Sequence, residues 1–388
     1  MPGLPDRDLH ELGLRTGLGI SSSVALGYSS PPAREAFERA DEIGRSLPAS
    51  TEWAAAIWGL WSFFMVRGEL DRAAGLVARA RRMAEELGDW QLAATTAAMA
   101  GYVLFFQGRL DEACEQLVVG LESRAELLPN DPHAVSRALI GVIEWLRGDP
   151  VAADRSIARA IDEAKAVPGG RGAFTLAFVY AYSAWLAQLS GDPSTAVSRA
   201  RSTIALATEH GFRTWQAAGY IHLTIGLGDL GTLDPAGPGL PDLIGAWQGA
   251  GAGLMLPYFL GRLAATQLAG GTVDAALATV LEAQEAAHRN HEHVYDAELL
   301  RLRALIRAAR GEPDDDIVRD LEEAVRVAFD QGARVYVLRA LKDLGRWGVF
   351  AVRCSDSSSV ELGGAAGWWA GRPGPAKITE ARAFVTPR

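Results

Sequence analysis

The stretch HRNHEH, at residues 288–293, holds the side chains of this sequence that are best suited to binding a metal ion. His288, His291 and His293 offer imidazole nitrogens, and Glu292 offers a carboxylate. Imidazole and carboxylate groups are common zinc ligands. The stretch falls at a break between two helical patterns, however, where polar, solvated residues are normal, and no cysteine or carboxylate completes a recognisable ligand set. We therefore expect loop residues here and no metal.

A second polar stretch, EPDDDIVRDLEE at residues 312–323, lacks the alternating ligands and central glycine of a calcium loop. Acidic residues are stabilised at the positive end of the helix dipole, so the stretch predicts a helix start. The sequence contains no G-x-S-x-G nucleophile motif. None of its three lysines follows a glycine, as a P-loop requires. We predict no catalytic residue, no metal and no cofactor.

The composition limits the class of protein. The chain has 388 residues, 49% of them hydrophobic, and a formal net charge of −9. An acidic balance without a basic patch argues against nucleic acid or an anionic membrane as the main partner. The two cysteines, Cys114 and Cys354, cannot form a disulfide framework or a cysteine-based metal site. We expect Cys114 to be a small buried residue and the protein to be cytoplasmic.

Two apolar stretches, residues 53–66 and 173–189, raise the question of a membrane span. The first is shorter than the roughly 20 residues that a span requires, and the second carries Thr175, Ser183 and Gln188. The start of the chain, MPGLPDRDLHEL, also lacks the apolar core of a signal peptide. We predict two buried helices and no membrane contact.

Glycines recur along the chain at intervals of 40 to 43 residues, in settings such as RGELD, QGRLD, SGDP and GGTVD. A fixed period of this length is the signature of a repeat architecture. Each glycine follows one helical pattern and precedes another, so each predicts a turn within a helix pair. The eight glycines are Gly27, Gly68, Gly108, Gly148, Gly191, Gly231, Gly271 and Gly311.

Alignment on these glycines brings small residues into register. Alanine stands five residues after the glycine in six copies, from Ala73 to Ala276, and aliphatic or small residues stand nine residues after it. Small residues also stand seven residues before it, except at Trp61 and Thr224. Positions four apart share one helix face. Small residues at a fixed helix position allow close helix packing, so the sequence predicts an all-α, right-handed α-solenoid of about eight helix-turn-helix repeats.

The repeats are predicted to fill residues 1–347. Residues 348–388 leave the pattern, because they are rich in serine, glycine and proline. We predict an irregular, partly mobile tail there, with a short last helix near residues 378–385.

The registered positions resemble the tetratricopeptide repeat, lengthened here from its usual size to about 40 residues. The segments LPDRDLHELGLRTGLG, GYSSPPAREAFERADEI and GLWSFFMVRGELDRAAGLVARARRMAEELGD resemble, in that order, the C-terminal repeats of bacterial multidomain regulators. Those proteins join a class III adenylate/guanylate cyclase domain, or a LuxR-type regulator, to an ATPase. Neither a P-loop nor room for cyclase aspartates is present here, so the chain resembles the repeat part alone.

The resemblance implies a concave groove lined by first-helix residues at 13, 10, 6, 3 and 2 positions before each turn glycine. Aromatic residues and arginine are enriched in binding hot spots, although most helix aromatics in a solenoid pack between neighbouring helices. The candidate groove residues are Trp58, Tyr102, Phe105, Phe106, Trp145, Phe178, Trp185, Gln188, Tyr258, Glu298 and Arg301.

The sequence favours a non-catalytic interaction or sensory scaffold that binds a protein, a peptide or a small effector in its groove. End repeats of solenoids also associate, so a homodimer is one expectation. The alternative is an enzyme of unrecognised type, or the remnant of a cyclase or ATPase whose catalytic domains lie elsewhere. A third hypothesis, DNA binding, is disfavoured by the acidic charge.

Overall fold

A computed structural model describes residues 4–125, 128–233, 237–347, 351–353 and 359–361. These residues form seventeen α-helices, and each helix packs on its neighbours in chain order, as in a solenoid. The helices are α1 (Leu4–Leu26), α2 (Pro31–Gly44), α3 (Thr51–Val66), α4 (Leu70–Leu87), α5 (Trp90–Phe106), α6 (Leu110–Gly120), α7 (Pro132–Leu146), α8 (Pro150–Ala166), α9 (Gly169–Ser190), α10 (Pro193–His210), α11 (Arg213–Asp229), α12 (Leu240–Gly249), α13 (Leu256–Ala269), α14 (Val273–Asn290), α15 (Asp296–Arg310), α16 (Asp314–Asp330) and α17 (Arg334–Leu344).

Each of the eight registered glycines lies between two helices and has a positive φ, from 67° at Gly231 to 104° at Gly27. Glycine adopts this left-handed conformation without steric cost, which makes it the common residue just past a helix end. Asp149 and Asp192 then accept hydrogen bonds from the first backbone N–H groups of the next helix. Each of these glycines therefore lies in a turn between two helices.

The predicted small-residue positions bring paired helices close together. A Cβ atom added to Gly101 would lie 2.6 Å from Leu117, and one added to Gly141 would lie 3.1 Å from Ile157. Both partners stand at the position nine residues after a turn glycine. Gly101 also lies against the carbonyl of Ala113, at the position five residues after the glycine. The three registered positions thus form one repeated helix–helix contact.

Replacing Gly101 with alanine is expected to lower the free energy of unfolding by about 1–3 kcal/mol, because the new methyl group overpacks the contact with Leu117. Gly75 is the matched control, since it lies within helix α4 with no atom near its added Cβ. Alanine at Gly75 should stabilise the protein by about 0.5–1 kcal/mol. Urea unfolding of both variants measures the difference, and equal effects would contradict the close-packing assignment.

The helical array also closes on itself. Backbone N–H groups of Gly253 and Leu254 donate to the Val66 carbonyl at 2.8 and 3.0 Å, and those of His293 and Val294 donate to the Phe106 carbonyl at 2.7 and 3.1 Å. Val66 and Phe106 end helices α3 and α5, where carbonyls lack a partner within the helix. Gly253 follows Val66 by 187 residues, and His293 follows Phe106 by the same interval. The loops before α13 and α15 therefore dock on helix ends from early in the chain.

Several sequence expectations have a clear outcome. Residues 53–66 and 173–189 lie in largely buried helices, and the three aspartates from Asp314 begin α16. Within the described ranges, no helix combines the length and apolar character that crossing a membrane would demand.

Cys114 is only half-buried, because the second helix of its pair presents that position near the surface, so its predicted full burial is wrong.

The tail contains a short antiparallel hairpin, β1 (Ala351–Arg353) paired with β2 (Ser359–Glu361). No strand was expected from the sequence of this region. The helix predicted near residues 378–385 lies outside the described residues.

Candidate functional site

The helical array contains a cavity of about 110 Å³ that is rich in aromatic and other apolar side chains. Its walls come from first helices of several pairs, at positions that stand 13, 10 and 6 residues before the turn glycine. Helix α5 contributes Thr95, Ala98 and Tyr102, and α9 contributes residues at the same three positions. Helices α11 and α13 and the loop between α12 and α13 complete the wall. In helices α5 and α9, the cavity wall is therefore formed by three of the positions that the resemblance implies.

The structure brings together four of the eleven predicted groove residues at this cavity. Trp58, Tyr102, Phe178 and Trp185 all line it and are 2–8% exposed. Neighbouring rings lie in contact, such as Tyr102 and Phe178 with centroids 6.1 Å apart. These side chains are therefore buried at the cavity and do not form an exposed groove surface.

Phe105 and Phe106 are fully buried beside the cavity. The ring of Phe106 stacks on Trp185 with an interplanar angle of 3°, and Phe105 meets the same indole edge-on. Trp145 is also buried, and it packs between the ring of Tyr336 and the guanidinium of Arg339. These three candidates contribute to packing between distant helices.

Gln188 and Tyr258 belong to a buried hydrogen-bond network with His222. The Gln188 side-chain amide donates to the His222 carbonyl at 2.8 Å, while its Oε1 accepts from Tyr258 and from His222 Nδ1, each at 2.9 Å. The hydrogen on Nδ1 leaves Nε2 of the same ring as an acceptor. Burial lowers the pKa of the His222 imidazole to about 3, so the ring is neutral at physiological pH.

The His222 network predicts a loss of stability in acid. The unfolded chain binds a proton at His222 near pH 6.5, whereas the folded chain does so only near pH 3. The stability from His222 is therefore full above about pH 6.5 and falls as the pH falls. Between about pH 7.5 and about pH 5 the expected loss is about 2 kcal/mol. His222→Asn, which can still donate to Gln188, should lose about 2 kcal/mol less in urea unfolding over that range; identical pH profiles would contradict the assignment.

The last two candidates, Glu298 and Arg301, lie in a polar pocket of about 400 Å³ near the end of the array. Arg301 Nε donates to Glu298 at 3.0 Å, and Arg339 donates to the other Glu298 oxygen at 2.9 Å. Arg301 also contacts Asp343 at 2.7 Å. Gln188 lines this pocket as well. Along the chain, the predicted groove positions thus change from aromatic side chains to paired charged side chains.

Several cavity residues were not predicted from the sequence. Trp61 did carry a signal, because it interrupts the row of small residues seven positions before the turn glycine. Tyr182 and His222 share the position nine before a turn glycine, which was not in the predicted set. Tyr28 and Trp215 come from a turn and a helix start, and only the contact between distant repeats brings their rings to 6.2 Å.

Six polar atoms on residues that line the cavity are buried without a hydrogen-bond partner in the described chain. Three are indole N–H groups, and the others are the hydroxyls of Ser62 and Tyr102 and Asn130 Oδ1. The Asn130 amide nitrogen is satisfied, since it donates to the Tyr28 hydroxyl at 2.9 Å. A buried polar group without a partner costs about 1–3 kcal/mol. The three indoles are those of Trp61, Trp185 and Trp215.

A second cavity of about 260 Å³ adjoins the first, because Trp58, Thr95 and Met99 line both. Its other walls include Asp89 and Gln91 at the start of helix α5. Gln91 is half-buried, and its backbone N–H is held by the Asp89 carboxylate at 2.9 Å. The second cavity therefore connects the aromatic interior with more polar surroundings at the helix start.

Glu292 and His293 of the HRNHEH stretch have structural roles. Glu292 is 1% exposed and accepts the Met255 N–H at 3.0 Å, so its expected solvation is wrong. Burial raises the pKa of this carboxyl well above its usual value. The backbone N–H of His293 docks on Phe106, and its ring contacts Asp296 at 2.8 Å. Across the described part of the chain, no three His, Cys, Asp or Glu side chains are placed to hold a metal ion.

No protein-family model matches the chain. The chain is similar to the uncharacterized protein R02095 of Rhizobium meliloti (strain 1021), with 26% identity over 360 residues. The match covers 86% of this chain and 33% of the relative. The chain therefore spans about a third of the length of the relative that it matches.

Proposed function

We propose that this chain is a non-catalytic sensory module, a right-handed, tetratricopeptide-like solenoid of about eight repeats, that binds a small effector in its aromatic interior. The observation that carries the proposal is the origin of the cavity walls. Helices α3, α5 and α9 contribute one part and helices α11 and α13 the other. A molecule in the cavity would contact both parts and so favour the closed array.

The sensory proposal places the chain in a cytoplasmic signal-transduction system, as the repeat part of a larger ATPase, cyclase or transcriptional regulator. The match to one third of a longer protein supports this arrangement. In such a protein, effector binding would be transmitted through the docking of Gly253 and His293 on early helix ends. A ligand can act as a signal here only if it binds the closed array and the open array with different affinities.

Filling the cavity by mutation tests this coupling without knowledge of the effector. Ala218 lines the cavity on helix α11, and leucine there would occupy part of the free volume. We expect Ala218→Leu to slow hydrogen exchange of the docked amides of Gly253, Leu254 and His293 by severalfold. Ala205→Leu, at an exposed position of α10, is the control. Unchanged exchange in Ala218→Leu would sink the proposed coupling.

A protein or peptide partner is a second candidate function. The polar pocket favours it, because Arg262, Arg301 and Arg339 converge there and the Arg262 Nε has no partner in the described chain. Pull-down with Arg301→Ala tests this candidate, and loss of a captured protein would support it. Assays for cyclase and nucleotide hydrolysis should be blank, and clear activity would favour an enzyme.

A further inference from the structure

We infer that the aromatic cavity binds a neutral, largely apolar small molecule that carries a hydrogen-bond acceptor such as a ketone oxygen. This inference rests on the proposed sensory function, and it names the class of effector. It follows from the hydrogen-bonding groups, the charge and the size of the cavity.

The unpartnered groups of the cavity are mainly donors. An indole N–H donates and never accepts, and Trp61, Trp185 and Trp215 each leave this group without a partner. All three side chains are at least nine-tenths buried, at 7%, 2% and 7% exposure. Buried indole N–H groups usually find an acceptor. A ligand that offers an acceptor atom would supply it.

The cavity favours an uncharged ligand. Among the described residues that line it, none is aspartate, glutamate, lysine or arginine. Its one histidine, His222, is neutral because burial lowers its pKa. Placing an ion in an apolar interior without a paired charge is strongly unfavourable. A carboxylate should therefore be rejected even when its carbon skeleton fits.

The walls also favour a ring. Trp58 and Trp61 lie 6.0 Å apart between centroids, and Phe178 and Trp215 lie 5.2 Å apart. A volume of about 110 Å³ is smaller than the roughly 150 Å³ of an apolar cavity that binds benzene, so the cavity itself suits at most one aromatic ring. The adjoining cavity beyond Thr95 offers room for a longer substituent.

Three single-ring probes separate these properties. Acetophenone carries a ketone acceptor, α-methylstyrene has the same shape without the acceptor, and benzoate is charged. In ¹H–¹⁵N spectra of the full chain, acetophenone should shift at least one of the indole N–H signals of Trp61, Trp185 and Trp215 downfield. α-Methylstyrene should bind without that downfield shift, and benzoate should bind at least tenfold more weakly than acetophenone. Absence of binding by acetophenone, or equal binding of benzoate, would overturn the inference.

Phenylalanine variants identify which indole N–H donates a hydrogen bond to the ligand. Replacing the donating tryptophan with phenylalanine should weaken acetophenone by about two- to tenfold and leave α-methylstyrene within about twofold. Trp247→Phe is the matched control, because Trp247 lines the same cavity but its indole N–H already donates to the Leu254 carbonyl at 3.2 Å. The wild-type spectra decide the question even where a variant fails to fold.

The two proposals fail separately. If Ala218→Leu slows exchange of the docked amides but the probes do not bind as predicted, the effector class is wrong and the sensory coupling stands. If acetophenone binds as predicted and leaves exchange at Gly253 and His293 unchanged, the site stands and the coupling is wrong.

Discussion

Replacing Glu298 with alanine is expected to lower the free energy of unfolding by about 3–5 kcal/mol, because it leaves two arginines without their shared partner. Glu298 is 4% exposed and bridges Arg301 and Arg339. Burial alone would raise the pKa of Glu298, but the two guanidinium groups outweigh burial and hold the pKa below its usual value. Of the two arginines, only Arg301 has a second carboxylate partner, which is Asp343 at 2.7 Å. Urea unfolding near neutral pH measures the loss.

The exposed pair of Arg109 and Glu112 is the matched control for this prediction. Because solvent screens both charges, Glu112→Ala should cost less than about 1 kcal/mol. Glu298→Gln should be less harmful than Glu298→Ala, since the amide retains one acceptor for an arginine. If Glu298→Ala matched Glu112→Ala, the buried ion pairs would not stabilise the end of the array, and the polar pocket would be better assigned to binding.

The local fold followed from the sequence because its causes are local. Glycine at Gly108 or Gly191 adopts the left-handed conformation whatever surrounds it, and a helix ends there. The contact of Gly101 with Leu117 likewise lies within one helix pair, sixteen residues apart. A register of small residues therefore predicted helix pairs and their packing.

The closure of the array did not follow, because its cause lies between distant repeats. Gly253 fits against the Arg67 carbonyl, where an added Cβ would lie 2.4 Å away. The loop that holds Gly253, GAGAG at residues 249–253, shows only small residues in the sequence, and HRNHEH looked like a solvated loop. Both loops donate backbone N–H groups to early helix ends, a contact that side-chain patterns do not encode.

The candidate site was predicted only in part, because some of its residues meet through contacts between distant repeats. In helices α5 and α9, positions 13, 10 and 6 before the turn glycine line the cavity, and Trp58, Phe178 and Trp185 were among the predicted residues. An open solenoid would present them as a groove, whereas the closed array buries them. Trp215 and Tyr28 were missed because their inward position depends on the docking of α11 against α1.

Phe106 joins the closure to the aromatic interior, and its replacement by alanine is expected to cost about 3–5 kcal/mol of unfolding free energy. The side chain is fully buried, and its ring lies 5.1 Å from Phe105 and 6.4 Å from Trp185 between centroids. Alanine would remove these contacts and leave a void beside the cavity. Trp90→Ala, at a position 63% exposed, should cost less than about 0.5 kcal/mol. Urea unfolding measures both.

Hydrogen exchange distinguishes a general loss of stability from a loss of closure in Phe106→Ala. The Phe106 carbonyl remains in the variant, so His293 and Val294 still have their acceptor. What changes is the packing that holds α5 in place beneath them. Exchange at these two amides should therefore accelerate more than exchange within helix α8, which lies away from the closure contact. Equal acceleration at both places would show that Phe106 stabilises the array as a whole and has no special part in holding it closed.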